Sequence, residues 1–189
     1  MGRLRRLINS IIKEAFSASV INQPPANSIQ ELKHVINQYY NRYNPENVQE
    51  LCDTGMEHLF NQIIKMSGYK CDIQKIKSLK NDKVLYEIDV LKRTFRRDRP
   101  YQYAQKLGIS WRGDGYEMDT DNTFSYPSGH ACQAYYIAHC LSADYPELNK
   151  HFFEVAEMVS QSRIDRGVHF PSDCEAGKAL AMSIYGKKR

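Results

Sequence analysis

Apolar residues recur at spacings of three and four along most of the chain, and this spacing predicts amphipathic helices. The first such series predicts a helix close to the N-terminus that packs on the rest of the domain, and Pro24 and Pro25 end it. Its apolar positions are Leu4, Leu7, Ile8, Ile11, Ile12 and Ala15. No segment alternates convincingly between apolar and polar residues, as a half-buried strand would. The pattern therefore predicts an all-α fold.

Six further helices are predicted, and four of them begin at a proline, a residue that suits the first turn of a helix. Their approximate ranges are 28–43, 45–66, 83–97, 127–143, 146–166 and 171–185. Ser28, followed three residues later by Glu31, has the spacing of a capping box. Pro100 is expected to stop or kink the helix over 83–97. Because there is no linker or repeat, we expect one domain, with a helical N-terminal part (1–82) and a part that carries the candidate motifs (83–189).

Composition and charge exclude several classes of protein. Of the 189 residues, 42% are hydrophobic and 25% are charged, which supplies enough apolar material for a core and argues against disorder. The two longest stretches without charged residues, 15–30 and 122–143, contain prolines or many polar residues, so neither predicts a transmembrane helix. The net charge is only +4, and residues 1–14 contribute +3 of it. The nearly balanced remainder argues against a nucleic-acid-binding face.

The N-terminus and the cysteines bear on the location of the protein. The basic start resembles a signal peptide, but Asn9, Ser10, Lys13 and Glu14 interrupt the apolar run that such a peptide needs. The five cysteines form no CxxC pair, and their odd number cannot close into a complete set of disulfides. We therefore expect reduced thiols and a cytoplasmic protein, with the periplasm as the alternative.

A basic segment over 92–100 supplies the first candidate chemistry. Lys92 and Arg99 are seven residues apart, so a helix would place both side chains on one face, two turns apart. Two cations on one face suit the binding of a phosphate group. The same pattern is also typical of a solvated helix end, because basic residues favour helix C-termini.

The second segment, from Tyr126 to His130, has the composition of a helix start that binds an anion. Pro127 suits the first turn, and Ser128 and Gly129 leave backbone N–H groups free to face the anion. His130 would then lie beside the bound group. The same residues are also typical of an ordinary helix cap with a surface histidine.

The third segment runs from Ser162 and Arg163 to Asp173. Phe170 precedes a proline and so disfavours helical backbone, which predicts that His169 lies at a break between two helices. Asp173 then falls in the first turn of the next helix, from where its carboxylate can reach one ring nitrogen of His169 and direct the other outward. An isolated His/Asp pair is also common in purely structural settings.

Together, the ordered motifs Lys-x6-Arg-Pro, Pro-Ser-Gly-His and Ser-Arg-x5-His-x3-Asp resemble those of the phosphatidic acid phosphatase type 2 and vanadium haloperoxidase superfamily. Within it, residues 125–130 and 161–173 are most similar to the soluble bacterial class A non-specific acid phosphatases. The resemblance covers about 85–186, whereas residues 1–82 match only in being helical. It implies a single-domain helical bundle of the kind found in that superfamily.

The resemblance also implies a role for each motif residue. His169 would attack phosphorus and become phosphohistidine, Asp173 would hold His169, and His130 would protonate the leaving oxygen and later activate water. The residues implied to surround the phosphoryl oxygens are Lys92, Arg99, Arg163, Ser128, the Gly129 amide and Ser162. Three cations meet the need of phosphoryl transfer for neutralised charge, so we expect neither a metal nor a cofactor.

The chain departs from the class A enzymes in its shorter length, in its lack of a convincing signal and at Ala131, where a small hydroxyl residue is usual. The segment over 108–125 is predicted to be a long loop that passes near the pocket, where Trp111, Tyr116 or its acidic residues would contact the leaving group. The acids lack the spacing of a calcium-binding loop, so no metal is expected there.

These features predict a soluble, metal-independent, acid phosphatase-like phosphomonoesterase that acts on small phosphorylated metabolites or nucleotides. Vanadate and phosphate are the expected inhibitors, and the resemblance favours a homodimer over a monomer. Three alternatives stay open: a membrane-associated lipid phosphate phosphatase that docks through residues 1–16, a non-catalytic module that binds phosphate or nucleic acid, and a vanadium-dependent haloperoxidase.

Overall fold

A computed structural model describes residues 21–42, 46–114 and 123–187 of the chain. In these ranges the regular structure is entirely helical, which confirms the predicted all-α fold. The elements are α1 (Ile29–Tyr40), α2 (Glu46–Thr54), α3 (Met56–Met66), α4 (Ile73–Leu79), α5 (Asp82–Phe95), α6 (Pro100–Lys106), α7 (Gly129–Asp144), a 3₁₀ turn (Pro146–Leu148), α8 (Asn149–Asp165) and α9 (Pro171–Gly186). The helix predicted over 4–15 lies outside the described residues.

Helix α7 is the centre of the fold, because apolar residues cover almost its whole circumference. Its buried side chains are Ala131, Cys132, Ala134, Tyr135, Tyr136, Ile137, Ala138, Cys140 and Leu141. Helices α8 and α9 pack along it, and α4 and α5 contact it from other sides. Helices α1, α2 and α3 pack in turn on α8, so the N-terminal part of the chain lies against the part that carries the motifs.

The start of α7 lies unusually close to the first half of α9. A Cβ atom placed on Gly177 would lie 2.6 Å from the backbone oxygen of Ser128 and 3.0 Å from the backbone nitrogen of Cys132. The Ser128 amide donates a hydrogen bond of 2.9 Å to the carbonyl of Asp173. Glycine at position 177 therefore lets two helices that carry candidate site residues meet backbone to backbone.

Two predicted boundaries are wrong, and both errors fall at residues that interrupt helices. The single helix predicted over 45–66 is two helices, because Gly55 adopts non-helical angles (φ −140°, ψ 28°) between α2 and α3. Pro100 does more than stop the preceding helix. Helix α5 ends at Phe95, Arg96 takes a left-handed conformation (φ 49°), and Pro100 then opens α6 as its first residue.

Two smaller features also differ from the prediction. The segment between the helices predicted over 45–66 and 83–97 contains α4, which Asp72 caps by accepting a hydrogen bond of 2.8 Å from the Gln74 amide. Ser28 caps α1 as predicted, accepting from the Glu31 amide at 3.0 Å. The Glu31 carboxylate does not complete the capping box, since it binds Arg97 and Ser172 instead.

We expect Gly177→Ala to destabilise the protein by about 1–3 kcal/mol, because the added methyl group meets backbone atoms that cannot move aside. Urea denaturation measures the change. Gly186→Ala is the matched control: it lies at the end of the same helix with nothing within 4 Å of the new Cβ, so it should be neutral or stabilising by up to about 1 kcal/mol. Equal changes in the free energy of unfolding at the two positions would show that the close backbone contact at Gly177 does not determine the cost of the substitution.

Candidate active site

Six of the nine residues predicted to form a site line one cavity of about 220 Å³. They are Lys92, Arg99, Gly129, His130, Arg163 and His169. Helix α5 and the turn after it supply the first two, the start of α7 supplies the next two, and the end of α8 and the turn after it supply the last two. Three motifs that are distant in sequence thus meet at one concave site.

His169 lies in the predicted break between α8 and α9 and is only 3% exposed. Its Nδ1 is 3.3 Å from Oδ2 of Asp173, and its Nε2 is 3.3 Å from the Arg99 guanidinium. Burial and the charges of Arg99 and Lys92 hold the pKa of His169 well below its ordinary value. A neutral ring whose Nδ1–H faces a carboxylate keeps a lone pair on Nε2, the electronic state that a nucleophile needs.

Asp173 is fully buried and is held by groups besides His169. Arg97 donates to its Oδ1 at 2.7 Å, the Phe170 amide donates to its Oδ2 at 2.8 Å, and the Ser125 hydroxyl donates to the same oxygen. Burial alone would raise the pKa of Asp173, but the hydrogen bond from His169 and the charge of Arg97 outweigh it and lower the pKa. The carboxylate therefore stays ionised inside the protein.

Arg97 is a site residue that the sequence did not reveal. It belongs to the basic segment over 92–100, yet only the fold shows that its guanidinium is buried against Asp173. The same group donates to Asn27 at 2.7 Å and to Glu31 at 2.9 Å. Arg97 thus ties the segment before α1 and the first turn of α1 to the carboxylate that supports His169.

The three predicted cations are all buried at the cavity wall. Lys92 donates to the carbonyl of Phe124, and burial together with the nearby Arg99 lowers the pKa of Lys92 to about 7. Arg99 donates to the carbonyl of Val168 at 2.8 Å. Nη2 of Arg163 is buried and has no hydrogen-bond partner among the described residues. A buried guanidinium with an unpaired N–H group is suited to bind an anion.

Ser128 and Ser162 are not brought to the cavity wall, although the resemblance implies that both bind the phosphoryl group. The Ser128 hydroxyl caps α7 by accepting from the Ala131 amide at 3.4 Å, and the Ser162 hydroxyl donates to the carbonyl of Val159 at 2.7 Å. Both serines are fully buried. In this conformation their side chains support helices α7 and α8.

His130 lies in the first turn of α7, with its Nε2 3.0 Å from the backbone oxygen of Asp53 and 3.2 Å from the Asp53 carboxylate. Burial and the charge of Arg163 lower the pKa of His130 to about 3, against the opposing effect of Asp53. Asp53 was not predicted as a site residue. It lies near the end of α2, in the part of the chain that carries no recognisable motif.

The two described ends of the long loop lie in different places. Thr123 lines the cavity, as predicted for this loop, and its backbone oxygen accepts a hydrogen bond of 3.0 Å from Arg99. The first part of the loop, residues 108–114, packs on the end of α8. Gly167 has a positive φ of 72°, and a Cβ placed there would lie 2.7 Å from the Trp111 ring. Trp111 is therefore a packing residue, and Asp114 forms ion pairs with Arg42 and Arg166. Tyr116 and the other acids of the loop lie outside the described residues.

The described residues contain neither a cluster of metal-binding side chains nor a helix that could span a membrane. Within 21–42, 46–114 and 123–187, no three His, Cys, Asp or Glu side chains lie close enough together to hold a metal ion. None of the helices in these ranges is long and apolar enough to cross a membrane. The five cysteines, all of them described, form no disulfide.

The fold is all-helical in the described ranges, and two histidines and three cations line its cavity. The sequence model of the PAP2 superfamily matches residues 84–186, more than half of the chain, so the chain belongs to this superfamily. The resemblance inferred from the motifs is thereby confirmed for the superfamily. The closer likeness to class A acid phosphatases stays a prediction.

Comparison with solved structures gives 13 matching chains. One is described as the first transmembrane PAP2 type phosphatidylglycerolphosphate phosphatase from Bacillus subtilis. It matches with a TM-score of 0.50 and 22% sequence identity, over 96% of this chain and 94% of that chain. At this level of sequence identity, the structural match supports the fold alone. No protein with a curated description matches the sequence significantly.

We expect Arg97→Met to cost about 3–5 kcal/mol of stability, because it leaves the buried carboxylate of Asp173 and the partly buried carboxylate of Glu31 without their shared cation. Chemical denaturation measures the loss. Arg93→Met removes an arginine from the exposed face of α5, where it pairs with Asp89, and should change stability by no more than about 1 kcal/mol. Similar losses in both variants would contradict the special role of Arg97.

The two site histidines should also make stability depend on pH. In the unfolded chain both take up a proton near pH 6.5, whereas their lowered pKa values keep them neutral in the folded protein. Their contribution is fully present above that pH and falls as the pH decreases, by about 1.4 kcal/mol per pH unit for each histidine. Urea titrations between pH 7.5 and 5 measure this slope. His169→Asn should reduce this slope by about 1.4 kcal/mol per pH unit, which is the contribution of one histidine. An unchanged slope would contradict the burial of a neutral ring at position 169.

Proposed function

We propose that this phosphatase is a metal-independent phosphomonoesterase that works through a phosphohistidine intermediate on small phosphorylated metabolites or nucleotides. The observation that carries the proposal is the convergence of His130, His169 and three buried cations on one cavity of about 220 Å³. Binding alone would need the cations but not two histidines in different environments. The acid phosphatase-like subtype, the cytoplasmic location and a homodimer belong to the same proposal.

In the first step, Nε2 of His169 attacks phosphorus while the bond from phosphorus to the leaving oxygen breaks. The ring gains positive charge as the N–P bond forms, and the adjacent Asp173 carboxylate stabilises that charge through Nδ1–H. His130 gives a proton to the leaving oxygen. In the second step His130 takes a proton from water, the water attacks phosphorus, and His169 is released together with inorganic phosphate.

The cations act on the charge that spreads over the three non-bridging oxygens during transfer. Lys92, Arg99 and Arg163 are buried, so each acts through a medium of low dielectric constant and needs little rearrangement as the reaction proceeds. This supply of fixed positive charge supports a mechanism that needs no metal. A bound phosphate group would also favour the protonated form of Lys92, whose pKa is lowered to about 7 in its absence.

A phosphorylated lipid is the second candidate substrate. Leu85 and Ile88 form an apolar wall of the cavity, and Leu85 is 45% exposed at the surface of α5. An apolar group beside the phosphate could pack there. Phosphate release from a short-chain phosphatidic acid, measured beside release from nucleoside monophosphates and sugar phosphates, separates the two candidates by the ratio of their kcat/KM values.

Substitutions of the two histidines should differ in how their effects depend on the leaving group. We expect His169→Ala to abolish turnover of every substrate, because no phosphoenzyme can form. His130→Ala should lower the rate of the first step on the order of 10²–10⁴-fold with alkyl phosphates. The rate with nitrophenyl phosphate should fall much less, because its leaving group needs no proton. The nitrophenol burst and trapping of radiolabelled protein measure the first step directly. Labelled protein after His169→Ala, or equal losses on both substrates in the burst, would contradict these assignments.

Inhibition tests the cation pocket. Vanadate and phosphate should inhibit competitively, and EDTA should leave the activity unchanged, because Lys92, Arg99 and Arg163 supply the charge. Arg163→Lys should lower kcat/KM strongly, since an ammonium group cannot replace the fork of N–H groups on a guanidinium. Activity that disappears in EDTA and returns with Mg²⁺ or Zn²⁺ would overturn the metal-free mechanism.

A further inference from the structure

Asp53 contacts two of the cavity residues from a helix that carries no recognisable motif. Its Oδ1 lies 2.5 Å from Nη1 of Arg163 and 3.2 Å from Nε2 of His130. Its backbone oxygen lies 3.0 Å from the same histidine nitrogen. One residue of α2 therefore bridges a cation from α8 and a histidine from α7.

The first contact determines which edge of the Arg163 guanidinium is open. Asp53 occupies Nη1, the Ser162 hydroxyl is 3.3 Å from Nε, and the buried Nη2 is the group that has no partner among the described residues. The side chain of Arg163 is only 1% exposed, so its charge needs a counterion inside the protein. Asp53 supplies that counterion and leaves one N–H edge for an anion.

The second contact determines which ring nitrogen of His130 carries a proton. A backbone carbonyl only accepts, so the contact with Asp53 requires a proton on Nε2 of His130. The carboxylate of Asp53 then favours the doubly protonated ring, which is the form that can give a proton away. The charged groups that oppose it are Arg163 and, farther away, Lys80, which is itself paired with Glu57 of α3.

Asp53 is in turn held by a chain of ion pairs. Arg166 lies 3.5 Å from its Oδ2 and 3.3 Å from the carboxylate of Asp114, which pairs with Arg42 at 2.9 Å. Asp114 belongs to the same network, but the structure gives it no contact with Arg163 or His130. The chain thus offers two aspartates in similar surroundings, only one of which touches the cavity residues.

We propose that Asp53 is a positioning residue of the phosphatase reaction: it orients Arg163 toward the phosphoryl group and favours the protonated form of His130, which is the form that donates to the leaving group. This inference rests on the proposed function. Asp53 acts through the two side chains that it contacts, and it takes no part in bond making or breaking.

The test compares Asp53→Asn with Asp114→Asn. Asn at position 53 keeps the backbone carbonyl and an oxygen that can accept from Arg163, but it removes the charge. We expect kcat/KM for an alkyl phosphate to fall by about 10-fold or more, part of the 10²–10⁴ that general acid catalysis contributes, with a smaller loss in the nitrophenyl phosphate burst. The alkaline limb of the pH profile should move to lower pH, because His130 loses its proton more readily. Asp114→Asn should keep activity within about 2-fold and leave the limb in place.

Direct titration of His130 by NMR gives a readout that does not depend on turnover. Its midpoint should be lower in Asp53→Asn than in the wild-type protein and unchanged in Asp114→Asn. The inference is overturned if the wild-type enzyme is active and the Asp53→Asn variant keeps the same NMR midpoint, alkaline pH limb and leaving-group dependence. Equal effects of the two variants would overturn it as well. Failure of the proposed function would look different: the wild-type protein itself would release no phosphate from any ester.

Discussion

The buried negative charge of Asp173 is the constraint on which the rest of the site depends. A carboxylate without solvent contact must be matched by a cation and by hydrogen bonds, since an unpaired charge is very unfavourable in the interior. Arg97 provides the cation because the chain turns sharply after α5, and Glu31 of α1 accepts from a second N–H group of the same guanidinium. Satisfying this one carboxylate therefore brings three distant parts of the chain together beside His169.

The same buried charges determine the state of the two histidines. Both are neutral in the folded protein, because burial and neighbouring cations disfavour a further positive charge. The surroundings nevertheless differ in the carboxylate that each ring faces. Asp173 is fully buried and lies on the Nδ1 side of His169, whereas Asp53 is partly exposed and lies on the Nε2 side of His130. Two rings with the same ordinary pKa are thereby suited to different tasks.

The sequence allowed the helices and the motif residues to be predicted because both depend on residues close together in the chain. The spacing of apolar residues predicted the helices. The proline two residues after His169 predicted that this histidine lies at a helix break. Such patterns carry no information on contacts such as that between Asp53 and Arg163, which are 110 residues apart. Nor do they report side-chain direction. Ser128 and Ser162 match the motifs, but their hydroxyls bond to nearby backbone atoms.

The close contact at Gly177 separates what is rigid in this enzyme from what can vary. Backbone atoms have no rotamers, so the spacing between the helix that carries His130 and the helix that carries Asp173 cannot be changed by repacking side chains. Leu85 and Gln133, which also line the cavity, have no such backbone contact among the described residues. Substitutions at Leu85 or Gln133 can therefore change which substrate fits the cavity without altering the backbone spacing of the two helices.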